Sequence, residues 1–213
     1  MSGDFEQAQS QVCQSEGAYV TMRPLASSWE QCKLGELYAK AGSGGTPSAT
    51  NPDYYGGDIP FLGISDIDGR DISATKKSIT KEGLYNSTAW VVPNGAISLA
   101  MYASVGKSGI IRQDTATSQA FFNMVFDNVA LRDFIYARLD KAEMNSEWDS
   151  LISTGTQSNL NAEKVRDFEI SVPNPEESSL IAAFFAQLDN LITLHQREPP
   201  HMMKEGKNAN QHQ

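Results

Sequence analysis

The chain changes its apolar rhythm at Pro173-Asn174-Pro175, and that break limits what it can fold into. Before it, apolar residues come in short runs of β-formers: Ile59–Ile64, Thr88–Val92, Ala96–Met101, Phe121–Phe126 and Phe168–Val172. Gly, Pro and Asn clusters bound these runs, as expected for strands joined by turns. After it, the period becomes helical. Asn174 stands as N-cap, Pro175 as the first helical residue and Glu177 as the third, an Asn variant of the capping box. The helix should run from Pro175 to about Arg197 and stop before Pro199-Pro200. Ile181, Phe184, Leu188, Leu191 and His195 recur at alternating spacings of three and four, and Phe185 and Ile192 widen the stripe. Such a stripe either docks on the body of its own chain or pairs with another helix.

Within the first part, Trp29–Leu37 begins ordered structure as a short strand or helical turn. Gly42–Ser48 reads as a flexible loop, and Ile72–Ile79 as polar and irregular. Pro60 sits near a strand start, where a missing N–H is tolerated. Pro93-Asn94-Gly95 predicts a tight turn between two strands. Asn128 caps a helix to about Glu143, whose Leu131, Phe134, Ile135 and Leu139 follow the helical period. Trp148–Ile152 extends or follows it, Thr154–Leu160 is a loop, and Asn161 caps a further helical turn. The fold class is therefore α+β. We divide the chain into a disordered leader (1–28), a body of short strands with packed helices (29–173), a long C-terminal helix of coiled-coil type (174–198) and a disordered tail (199–213).

Composition removes several function classes. No apolar run approaches the ~18–20 residues of a membrane span. The polar, acidic first twenty residues do not read as a secretory signal. Cys13 and Cys32 form no metal cluster, and with Cys13 in the expected disordered leader a structural disulfide is unexpected, which suits a reducing cytoplasm. His195, His201 and His212 all fall in the last nineteen residues, which excludes a histidine-based catalytic centre in the body. The net charge of −9 argues against a broad basic surface for non-specific nucleic-acid binding. Yet from Arg70 to Arg112 six basic residues (Arg70, Lys76, Lys77, Lys81, Lys107 and Arg112) face only Asp71 and Glu82. This island reads either as a solvated face or as an anion-binding patch.

Inside the island lies Tyr102-Ala103-Ser104-Val105-Gly106-Lys107-Ser108-Gly109, which ends like a phosphate-binding P-loop. The full motif needs a glycine where Met101 stands and a helix after the lysine. Here β-formers follow, so a hairpin turn with a lysine at its tip is the better reading.

Three stretches and the last helix together resemble the specificity subunit of Type I restriction–modification systems. They are Gly44–Ile67 (GGTPSATNPDYYGGDIPFLGISDI), Ala103–Ile110 (ASVGKSGI) and Ser153–Glu177 (STGTQSNLNAEKVRDFEISVPNPEE), followed by Leu180–Glu198. The resemblance covers roughly Trp29 to Glu198. It implies a target recognition domain followed by a spacer helix, without catalytic activity or cofactor. It also implies double-stranded DNA as ligand, and methyltransferase and restriction subunits as partners. Family members usually hold two such units with antiparallel helices, whereas this chain holds one. A second copy could rebuild the pair through Ile181, Phe184, Leu188 and Leu191.

On this reading Lys107, Ser104, Ser108 and Tyr102 of the turn reach a phosphate or a base edge, with Arg70, Lys76, Lys77 and Arg112 as charged neighbours. Gln157 can pair with adenine through its amide, beside Thr156. The alternative for that loop is purely structural, with side chains satisfying backbone groups. At the level of the whole chain, the alternative is a protein–protein scaffold without DNA specificity of its own.

Overall fold

The computed structural model describes residues 29–152 and 160–197. The expected leader and tail, and Thr156 and Gln157, lie outside the described residues.

Two β-sheets carry the body. The larger has five strands: β2 (Lys40–Ser43), β10 (Phe121–Val125), β7 (Ile97–Ala100), β8 (Ser108–Ile111) and β4 (Asp71–Ile72), neighbours in that order. The second has four: β5 (Lys77–Ile79), β3 (Tyr55–Leu62), β9 (Thr115–Thr117) and β6 (Val91–Val92). A two-stranded ribbon pairs β1 (Glu30–Lys33) with β11 (Glu169–Val172), so the two ends of the body close on each other.

Alternation along the central strands sorts the core into layers. Ile97, Leu99, Ile110, Phe122 and Met124 face α2 (Val129–Met144), whose Phe134, Ile135 and Leu139 complete the main core. Ala96, Ala100, Ile111 and Phe121 face the other way and pack with Leu62, Ile67, Ile72 and Val92. The central strands β10, β7 and β8 are thus buried on both faces. Asn123, fully buried, joins the layers: it accepts from Ser98 Oγ at 2.7 Å and donates to Thr117 Oγ1 at 2.8 Å and Gly42 O at 3.1 Å. A buried amide is tolerable only when satisfied in this way.

The helix caps follow the sequence closely. Asn128, Asn161 and Asn174 each accept a hydrogen bond from the backbone N–H three residues on, starting α2, α3 (Ala162–Arg166) and α4 (Pro175–Arg197). A further short helix, α1 (Lys81–Tyr85), is capped by Thr80.

Elsewhere tertiary pairing overrides local pattern. Ile72 closes the short strand β4 and Lys77–Ile79 forms β5, because β8 and β3 supply ladder partners. The Pro93-Asn94-Gly95 turn links strands of different sheets rather than closing a hairpin. Gly42 and Ser43 belong to β2, and a Cβ on Gly44 or Gly45 would collide with Thr117 or Thr88. Those glycines serve close backbone approach.

The apolar stripe of α4 is divided. Ser178 and Ala182 are buried, and Ile181 packs on the main core beside α2. Leu188 is half-buried, while Phe184, Leu191, Ile192 and Leu194 are exposed, as is Leu180. The uncovered line therefore runs Leu180, Phe184, Leu191, Leu194, one flank over from the line the spacing predicts. Docking takes the flank that meets α2.

Candidate nucleic-acid interface

Strand direction gathers most of the basic island at one rim. β10 is antiparallel to β2 and β7, and β8 is antiparallel to β7. β3 and β9 are parallel, with β5 and β6 antiparallel to them. The Gly45 N–H donates to Thr117 O at 2.9 Å, which brings the ends of β2 and β9 together. The chain ends of β2, β3, β7 and β9 therefore share an edge with the chain starts of β5, β6, β8 and β10. That edge carries the segment after Ser43, the 3-10 turn Ile64–Asp66, Lys76 ahead of β5, the turn from Tyr102 to Lys107, and Ser118–Ala120.

At this rim a groove of about 670 Å³ is lined by Thr46, Ala49, Tyr55, Gly56, Phe61, Lys76, Lys77 and Ser78. Tyr55 is pinned by its hydroxyl, which donates to Pro47 O at 2.7 Å. Lys76 is exposed, its ammonium donating to Ser65 O at 3.2 Å. Thr46 Oγ1 donates to Gln119 Oε1 at 2.6 Å across the rim. Among the described residues, Lys76, Lys77 and Lys107 make no ion pair with a carboxylate. The Asp66 carboxylate accepts the Lys76 backbone N–H at 3.3 Å. Three cations with no side-chain ion pair among the described residues, beside hydroxyl and amide groups, can meet phosphates and base edges.

The turn itself is tightly built. Gly106 N–H donates to Ala100 O at 3.0 Å, and Lys107 N–H to Ser104 O at 3.1 Å. Those amides are occupied, and β8 rather than a helix follows, so no phosphate cradle forms. Ala103 and Gly106 both hold positive φ, 61° and 90°. A non-glycine residue there costs about 1–2 kcal/mol and persists only where its surroundings enforce it. Gly106 is buried under the Trp148 indole, which leaves no room for a Cβ. Tyr102 and Ser104 are exposed and Lys107 is half-buried. Ser108 is buried in β8, and its Oγ finds no partner among the described residues. Leu160, flanking the stretch that holds Thr156 and Gln157, donates its N–H to Met101 O at 3.0 Å, at the base of this turn.

The two arginines of the island stand apart from the rim lysines. Arg112 follows the far end of β8 and pairs with Asp71 at 2.6 Å. Arg70 has a side chain only 11% exposed, and it pairs with Asp133 at 3.1 Å and Asp189 at 3.5 Å. Their positive charge is already matched. Sequence reasoning missed Thr46, Tyr55, Ser78 and Gln119. Thr46 and Tyr55 had a signal, since both lie in the Gly44–Ile67 stretch singled out for its resemblance, whereas Ser78 and Gln119 had none.

The comparisons agree with this architecture. The specificity subunit of the MjaIX Type I restriction enzyme of Methanocaldococcus jannaschii is 30% identical over 172 residues, which cover 79% of this chain and 39% of that one. The HindI specificity subunit of Haemophilus influenzae is 25% identical over 189 residues, 85% of this chain and 41% of that one. Among solved structures, the HsdS subunit from Thermoanaerobacter tengcongensis superposes with a TM-score of 0.57 at 17% identity, over 84% of this chain and 42% of that one. The S subunit from M. genitalium gives 0.56 at 16% identity, over 80% of this chain and 42% of its own. The chain thus spans about two-fifths of the length of the relatives it matches. The family described as "Type I restriction modification DNA specificity domain" matches residues 26–201, and with that match over most of its length the chain belongs to this family.

Proposed function

We propose that this chain recognises a DNA sequence as one half of a Type I specificity unit, with the rim of Lys76, Lys77, Tyr102, Ser104 and Lys107 as its reading surface. We keep Thr156 and Gln157 as candidate base contacts on the amide chemistry of Gln157 alone. The observation that carries the reading is that the rim lysines Lys76, Lys77 and Lys107 make no ion pair among the described residues, in a chain whose net charge is −9. Arg70, Arg112 and Ser108 stand outside the surface because of their carboxylate partners and burial. The chain would act in the cytoplasm, direct methyltransferase and restriction subunits to a split target, and perform no catalysis itself.

We assign the second half of the unit to a second copy, because α4 leaves Leu180, Phe184, Leu191 and Leu194 uncovered. The copies pair through the exposed face of α4.

The rim is tested by salt dependence. Lys107→Ala, and separately Lys76→Ala with Lys77→Ala, should weaken duplex binding. For every phosphate that a variant no longer neutralises, the log–log salt slope should flatten by roughly one unit. Unchanged affinity and slope in both variants would remove the rim from the interface.

A further inference from the structure

The Arg70 cluster joins three elements: the body at β8, α2 and α4. Arg70 belongs to the reading body: its carbonyl accepts from Ile110 N–H at 2.7 Å, which seats it beside β8. Its guanidinium lies over the Tyr136 ring of α2, 5.4 Å from the centroid. One nitrogen binds Asp133 Oδ2 of α2, while Arg132 holds the other oxygen of that carboxylate at 2.7 Å. The remaining arm reaches Asp189, midway along α4.

A second tie holds the start of α4. Trp29 Nε1 donates to Glu177 at 3.3 Å, Trp29 packs edge-on against Phe134, and Ser178 is buried. Glu177 and Asp189 are twelve residues apart, about 18 Å along a helix. One tie fixes where a rod starts, and two fix its direction. Beyond Asp189 the exposed residues of α4 have no comparable hold among the described residues. The helix of 23 residues is ~35 Å long. A tilt of about 10° about its first turn would carry the far end ~5 Å, more than one ~3.4 Å base step of a DNA strand.

We propose that Arg70 is a positioning residue: through Asp189 it sets the angle of α4 on the reading body, and so the spacing between the two half-sites that the assembled unit accepts. This inference rests on the reading of the chain as half of a DNA-recognition unit. Charge pairs suit the task because their hydrogen bonds are directional and the charges partly shielded, so a misaligned helix leaves Arg70 with an unmet arm.

Two measurements test it, one without DNA. Spin labels on Tyr85→Cys and Thr193→Cys, in a Cys13→Ser background diluted with unlabelled chain, report the body-to-helix distance. The parent should give a narrow distribution. Asp189→Asn, which leaves the Asp133 arm intact, should broaden or shift it by about 5 Å, on the lever estimate above. Arg70→Lys should fall between them. Thermal unfolding of each variant separates this from a general loss of stability. An unchanged distribution in Asp189→Asn, or a parent that is already broad, overturns the clamp.

In the second, duplexes are selected from a random pool by the chain reconstituted with its methyltransferase subunits. Asp189→Asn should keep the half-site consensus and spread its spacing over two or more base steps. Unchanged spacing also overturns the clamp. If the parent enriches no sequence at all, the DNA reading fails, and the distance measurement alone decides the clamp.

Discussion

At the residue scale, one glycine shows how a motif can mislead. Gly106-Lys107-Ser108 looks like the end of a phosphate loop, but Gly106 is needed for its φ of 90° and because the Trp148 indole covers it. Gly106→Ala combines an unfavourable backbone with overpacking. We expect it to lower unfolding free energy by about 2–4 kcal/mol. Denaturant melts measure this, and a loss under about 0.5 kcal/mol would mean that the turn relaxes freely. The lysine next to it is legible as a candidate contact because its charge stands in a basic island. Nothing in the sequence shows that Ser108 turns inward while Ser104 turns outward. That depends on where β8 begins, and its pairing with β7 decides it.

At the element scale, caps were legible and charge environments were not. Asn128, Asn161 and Asn174 announce their helices because an N-cap is a local hydrogen bond. Asp140 in α2 is different. Partial desolvation, then Glu143 and then Asp189, in a second groove between α2 and α4, hold its carboxyl above the ordinary value of 3.8. A carboxyl raised on folding penalises the folded state once ionised. The penalty is absent below the ordinary value and complete above the raised one. Asp140→Asn should therefore stabilise the protein at neutral pH and make no difference near pH 3. The gain should be below about 0.5 kcal/mol, because Asp140 remains exposed. Urea midpoints at the two pH values check the sign, and a destabilised Asn variant at pH 7 would contradict it. The same groove raises the buried Tyr136 phenol, chiefly by desolvation.

At the scale of the whole molecule, the exposed face of α4 should govern assembly. Leu191 and Leu194 are each 61% exposed, so Leu191→Glu with Leu194→Glu leaves the body's packing intact. We expect a concentration-dependent dimer in the parent and a monomer in the variant, by sedimentation, since charge in an apolar seam is costly. A parent that stays monomeric at high concentration, with or without DNA, would give that face to another subunit. An isologous pair would present two rims related by a two-fold axis, and hence a palindromic split target.

The sequence alone determined the α+β class, the break at Pro173-Asn174-Pro175, the capped helices and the basic island. Each rests on neighbours within a few residues, where capping and periodicity act. Only the tertiary structure decided which cations of the island remain unmatched. Arg70 meets Asp133 and Asp189, respectively 63 and 119 residues further along the chain, while Lys76, Lys77 and Lys107 stay at the rim. It also decided which flank of α4 is covered, because a wide apolar stripe offers several faces and only the shape of α2 selects among them.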